Sequence, residues 1–203
     1  MKKIIKKRGF KYLIAFLIPF FTLLSMTIKP LMANTFGEEI LIKTKPFDPR
    51  DVFRGDYVQL DYEISEVPLE KVEDEILAMK NGNEYENFKG LEKKDLYVVL
   101  KKYKDFYMVD KVTLQKPNSG VFIKGKYRYP IYKELDKEEL QKKENANYKI
   151  EVKGIRIDYA LDKYFIPENT GKTLEEAARK GEVLAKIKVY NGYSLLKEIL
   201  PIE

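Results

Sequence analysis

Residues Tyr12 to Ile28 (YLIAFLIPFFTLLSMTI) are a run of 17 without a formal charge, and Lys2, Lys3, Lys6, Lys7, Arg8 and Lys11 precede it with no acid among them. As a helix the run rises about 26 Å, a little less than a hydrocarbon core of about 30 Å and within the range used by spanning helices. Lys11 and Lys29 stand at its two ends, where long side chains reach toward water. Pro19 frees one carbonyl and bends the helix, which membrane helices tolerate. Pro30 argues against a continuous helix through Leu31, Met32 and Ala33.

A cleaved signal peptide would share the basic start, but its apolar run is shorter and ends in small residues. Here the best cleavage candidate is Leu31-Met32-Ala33, with a bulky leucine in the small position. The expectation is an uncleaved anchor over residues 12–33, a basic cytoplasmic tail over 1–11 and an extracytoplasmic domain over 35–203. The chain is then a single-pass protein of the cell membrane, its N-terminus inside, with the lipid bilayer as its first partner.

The chain has no cysteine, histidine or tryptophan. Zinc sites built on Cys or His, thiol and Ser-His-Asp catalysis, thiolate-held clusters, His-ligated haem and disulfides are excluded. No cofactor and no metal is expected. Removing the six N-terminal cations from the 38 basic residues leaves 32 against 32 acidic ones. Nucleic-acid binding needs a basic field to displace counterions, and this body carries no net charge, so no nucleic-acid partner is expected.

The body reads mostly as strands. Glu38–Lys45 is a candidate strand, and Tyr57–Ile64 alternates, with Val58, Leu60, Tyr62 and Ile64 on one face. Leu69, Val72, Ile76 and Met79 lie at helical spacing between Pro68 and Gly82, which predicts a helix over 69–80. Strands follow at Asp95–Tyr103, Phe106–Gln115, Val121–Tyr129 and Tyr148–Tyr159, with a solvated helix or loop over 134–147. Thr173-Leu174-Glu175-Glu176 is a capping-box pattern that opens a short helix. Asn191-Gly192 between Val183–Tyr190 and Tyr193–Ile199 signals a hairpin, because a type I′ turn needs positive φ at both positions. The fold class expected is α+β and β-rich: a mainly antiparallel sheet or partly open barrel with two or three short helices, plus the N-terminal transmembrane helix.

The densest cluster of unusual residues is Pro46–Tyr62, PFDPRDVFRGDYVQLDY. Asp48, Arg50, Asp51, Arg54 and Asp56 alternate acids with guanidiniums, a combination that holds a tight loop through paired hydrogen bonds or binds a ligand. Calcium fits the same oxygens, but the two arginines oppose a cation. The string Gly55-Asp56-Tyr57-x-x-Leu60-x-Tyr62 resembles the signature of the GDYxxLxY family of bacterial membrane-anchored proteins at every defined position. The distal run Tyr164-Phe165-Ile166-Pro167-Glu168, with Gly171 and Leu174-Glu175, is similar to that family's second conserved stretch. The resemblance implies an N-terminal anchor, an extracytoplasmic β-rich domain without an assigned activity, and a multi-pass membrane protein as partner. Read as residues alone, Leu60 and Tyr62 belong to the core by strand parity, and Gly55 and Asp56 shape the turn before it. Glu168 and Glu175 form a formal acid–base pair with no cleft implied around them.

A second resemblance is weaker. Arg54-Gly55-Asp56-Tyr57-Val58 and Ser25-Met26 are similar to elements of type I signal peptidases, which are anchored serine-lysine peptidases. The chain departs from them at Ile28, where they carry proline, and lacks their Gly-Asp-Asn-Arg stretch. The expected function is therefore a non-catalytic interaction domain of the cell envelope, with Tyr57 and the other tyrosines as candidate contact residues.

Overall fold

The computed structural model describes residues 2–45, 57–79, 88–133, 151–161, 163–165 and 183–201. Helix α1 (Lys2–Phe36) carries both Pro19 and Pro30 inside it. Although Pro30 argues against it, the helix is continuous through Leu31, Met32 and Ala33 and ends at Phe36, almost two turns beyond the proline. The span Phe10–Phe36 is apolar and long enough to cross a membrane, and no residue of its most apolar window is buried within the protein. Its hydroxyls bond to the helix itself: Thr22 donates to Ile18 O at 2.8 Å, Ser25 to Thr22 O at 2.7 Å and Thr27 to Leu24 O at 2.7 Å. An apolar helix with its polar groups satisfied internally and its side chains bare suits lipid.

Only Gly37 separates α1 from strand β1 (Glu38–Lys45). The Gly37 N–H donates to Ala33 O at 3.0 Å, and a Cβ at Gly37 would lie 2.2 Å from that oxygen. Ala33 is 0% exposed. Lys188 donates to Asn34 O at 2.7 Å, and Lys197 to Asn34 Oδ1 at 2.8 Å. Two cations thus meet the carbonyl-rich end of the helix, where positive charge is stabilising.

The remaining strands are β2 (Tyr57–Gln59), β3 (Asp61–Tyr62), β4 (Glu66–Pro68), β5 (Asp95–Tyr103), β6 (Phe106–Thr113), β7 (Val121–Tyr132), β8 (Val152–Asp158), β9 (Lys163–Phe165), β10 (Val183–Tyr190) and β11 (Tyr193–Pro201). A one-turn helix, α2 (Asp74–Leu77), follows β4. The strands pair as β11-β10-β1-β3, β2-β9 and β4-β8-β7-β5-β6, every pair antiparallel, and curl into one half-barrel and one nearly closed barrel. Strand β10 alternates buried and half-buried throughout, and β1 sets Ile40 opposite Ile187 and Ile42 opposite Ala185. This period of two is that of a sheet with one face in the core. Register shifts at Val99/Leu100 and near Tyr127/Tyr129 interrupt the ladders of the five-stranded sheet, as bulges that increase strand twist do.

Two expectations are revised. The run Tyr57–Ile64 is not one strand: β2 pairs with β9, β3 pairs with β1, and Glu63–Ser65 is a 3₁₀ turn. The chain passes from one sheet to another at Leu60, while Leu60, Tyr62 and Ile64 all stay buried. The helix over 69–80 is reduced to a 3₁₀ turn at Leu69–Lys71 and to α2. Between them Val72 bridges to Val112, and Glu73 N–H donates to Val112 O at 3.1 Å. Pairing with the edge of β6 outweighs local helical preference, and Val72 and Ile76 still enter the core. The expected segments at 134–147 and 173–176 lie outside the described residues.

The Asn191-Gly192 turn has φ of 53° and 87°, as the I′ geometry requires. Gly192 also bridges to Ile123 and accepts from Lys124 N–H at 2.9 Å, while a Cβ there would lie 2.9 Å from the Phe122 ring. Gly192→Ala is expected to cost about 1–2 kcal/mol from backbone strain alone, read as a lower urea midpoint with unchanged slope.

Candidate functional site

The pairing of β2 with β9 sets Tyr57 opposite Phe165 and Val58 opposite Tyr164. The signature and the distal run are thus neighbours in one ladder, although more than a hundred residues separate them. Leu60 is buried, and Tyr62 is 2% exposed. The Tyr62 hydroxyl donates to Leu161 O, just before β9. In the opposite sense the Tyr159 hydroxyl donates to Ile64 O at 2.8 Å. Two buried phenols thus tie residues 60–65 to residues 159–161 reciprocally, each satisfying a backbone carbonyl that would be costly to leave unpaired. Burial pushes the Tyr159 hydroxyl far above the ordinary tyrosine range, opposed by the nearby Arg156.

Beside them is an ion cluster. Asp61, opposite Lys45 in the β1–β3 ladder, binds Arg156 through both carboxylate oxygens at 2.5 and 3.1 Å. Asp61 Oδ1 also accepts the Tyr62 N–H at 2.8 Å. Arg156, opposite Glu66 in the β4–β8 ladder, reaches Glu66 at 3.3 Å, and Lys45 reaches the other oxygen of Glu66 at 2.5 Å. The Arg156 and Asp61 side chains are 16% and 14% exposed. Burial alone would pull the guanidinium down, but the hydrogen bonds and charge of Asp61, with Glu66, outweigh it and hold Arg156 above its usual value. Two cations and two anions form a neutral chain, Asp61–Arg156–Glu66–Lys45. Its chemistry is positional: it clamps β3 and β4 to β8, with every charge matched by a counter-charge.

Leu60 and Tyr62 are accordingly core residues, as parity implies. For Tyr57, Tyr164 and Phe165 the structure gives backbone position and register. Asp48, Arg50, Asp51, Arg54, Gly55 and Asp56, and Pro167, Glu168 and Glu175, lie outside the described residues, and with them the candidate ligand loop and the carboxylate pair. Ser25 lies within the apolar span of α1. Sequence reasoning missed Arg156 and Tyr159; the only local signal was Asp61, a carboxylate on the polar parity between two buried signature residues.

An antiparallel β-rich domain on an apolar N-terminal helix, its signature strand locked to a distal ladder, defines a class of membrane-anchored β-domain. A family model described as GDYXXLXY protein matches residues 19–199, and the chain belongs to that family. No curated protein and no solved structure matches it.

Arg156→Ala strands Asp61, while Glu66 keeps Lys45, and is expected to lower unfolding free energy by about 2–3 kcal/mol, with Arg156→Lys recovering less than half because the fork geometry is lost; urea unfolding of the three proteins measures this. A second expectation concerns alkali. Burial first, then Tyr132 and Glu92, push the Tyr127 hydroxyl up to about 12. An unfolded tyrosine ionises near pH 10. The folded value is the higher one, so the stabilisation is complete below about pH 10 and drains away as pH rises toward about 12. Denaturation midpoints between pH 8 and 12 are expected to fall over that window, and to fall less in Tyr127→Phe.

Proposed function

We propose that this chain is a single-pass membrane protein that keeps its anchor, exposes residues 35–203 on the extracytoplasmic side and acts there as a non-catalytic interaction domain. The observation that carries the first part is the junction. Ala33, the best cleavage candidate, is helical and fully buried against the domain, whereas a processing enzyme needs an accessible, extended segment. The family match, which begins at Pro19 and so includes the second half of α1 and the junction, agrees with a helix that is part of the mature protein. The cluster of lysines before the helix favours a cytoplasmic N-terminus.

The ion chain and the buried phenols are committed to holding the fold, so the interaction role is assigned to other residues. The segment Asp48–Asp56, which precedes the signature strand in the sequence, is the candidate contact, and an integral membrane protein beside α1 is the candidate partner. In native membranes the chain is expected at its full-length mass, with its body cleaved by protease added from outside the cell. Cross-linking is expected to capture a membrane protein in the wild type and not in Arg54→Ala/Asp56→Ala. A soluble product lacking about 33 residues would overturn the anchor, and identical capture by the double variant would overturn the role of the Asp48–Asp56 segment.

A further inference from the structure

The end of α1 lies on one face of the domain. Its contacts are with β10 and β11, and the ring of Phe36 sits 6.4 Å from that of Tyr190. In the β10–β11 ladder Tyr190 is opposite Tyr193 and Lys188 is opposite Leu195. These pairs share the face turned away from the core, since the intervening Val189 and Ile187 are buried and Leu196 packs against the core. Phe36 is 66% exposed, while Tyr190, Tyr193 and Leu195 are half-buried. Lys188 and Lys197 donate to neutral oxygens of Asn34 and make no ion pair among the described residues; Glu39 stands opposite Lys188 in the β1–β10 ladder. This face combines aromatic rings, an aliphatic side chain and lysines at the point where a membrane helix enters the domain. That is the composition of a protein surface lying in the headgroup layer.

We propose that the outer face of the β10–β11 hairpin is a second membrane contact, docked on anionic phospholipid headgroups of the leaflet from which α1 emerges. The occupant follows from position and charge. The one-residue Gly37 junction keeps the domain at the surface from which α1 emerges, which brings Lys188 and Lys197 to the headgroup phosphates once α1 is in lipid. Tyr103, beside the β5–β6 turn, is by contrast exposed away from this hairpin: β6 packs against β1, two strands removed from β11.

The proposal rests on α1 being in the bilayer, and the test separates the two. The chain has no native cysteine, so each introduced thiol is a unique reporter. Full-length Phe16→Cys, Leu195→Cys, Tyr193→Cys and Tyr103→Cys are labelled with an environment-sensitive fluorophore and placed in nanodiscs containing phosphatidylglycerol and headgroup-proximal spin-labelled lipid. Two lysines at an anionic surface favour the docked orientation by about thirtyfold, so quenching at 195 and 193 is expected to exceed that at 103 by about threefold or more. Quenching at 16 reports insertion of α1. A quenched position 16 with equal quenching at 195, 193 and 103 overturns the docking alone. An unquenched position 16 overturns the anchor, and the docking with it. Tyr193→Cys keeps the test valid where Leu195→Cys disturbs folding.

Discussion

One residue stands between a helix that belongs in lipid and a strand that belongs in a protein core, and that residue is pressed against the helix it leaves. Gly37 extends the helical hydrogen bonding by donating to Ala33 O, and the next residue, Glu38, already pairs with Val189. Strand β1 sits inside its sheet, with β10 on one side and β3 on the other. The position of the helix is thereby referred to the middle of the sheet. Lys188 and Lys197 hold the helix end from the neighbouring strands, and Ala33 is small enough to let it approach.

The signature strand is organised from the same sheet. Tyr62 and Asp61 pair with Thr44 and Lys45 at the far end of β1, and from there the Asp61–Arg156–Glu66–Lys45 chain reaches across to the second sheet. The defined positions Leu60 and Tyr62 are explained by burial, and Tyr62 also by its bond to Leu161, without any ligand. Asp61, which the signature leaves undefined between them, carries the charge chemistry. Family signature and local physics divide the strand between them: the apolar face fills the core and the polar face makes the clamp.

What the sequence made legible was local. The β10–β11 turn could be read because positive φ at two successive residues is a demand that Asn-Gly meets by itself, and β1 because its alternation needs no partner to be recognised. The strand parity of Leu60, Tyr62 and Ile64 was legible for the same reason, although the break in the strand was not. The 69–80 segment misled because helical spacing of apolar residues assumes that backbone bonds stay local, whereas Val72 and Glu73 bond to Val112. Pro30 misled in the other direction: the helix continues because the domain holds its last turn. The Asp61–Arg156 pair spans 95 residues, and Phe88, buried with a φ of 63°, takes a backbone conformation that bulky residues rarely adopt. Neither leaves a mark in the neighbouring sequence.

The absence of slack at Gly37 has a mechanical consequence. A flexible stalk would let the body tumble above the bilayer while its anchor stayed still. Here, a force applied to the body acts as torque on the rod in the membrane, and rotation of the rod sweeps the body with it. The chain behaves as a lever whose fulcrum is the lipid surface.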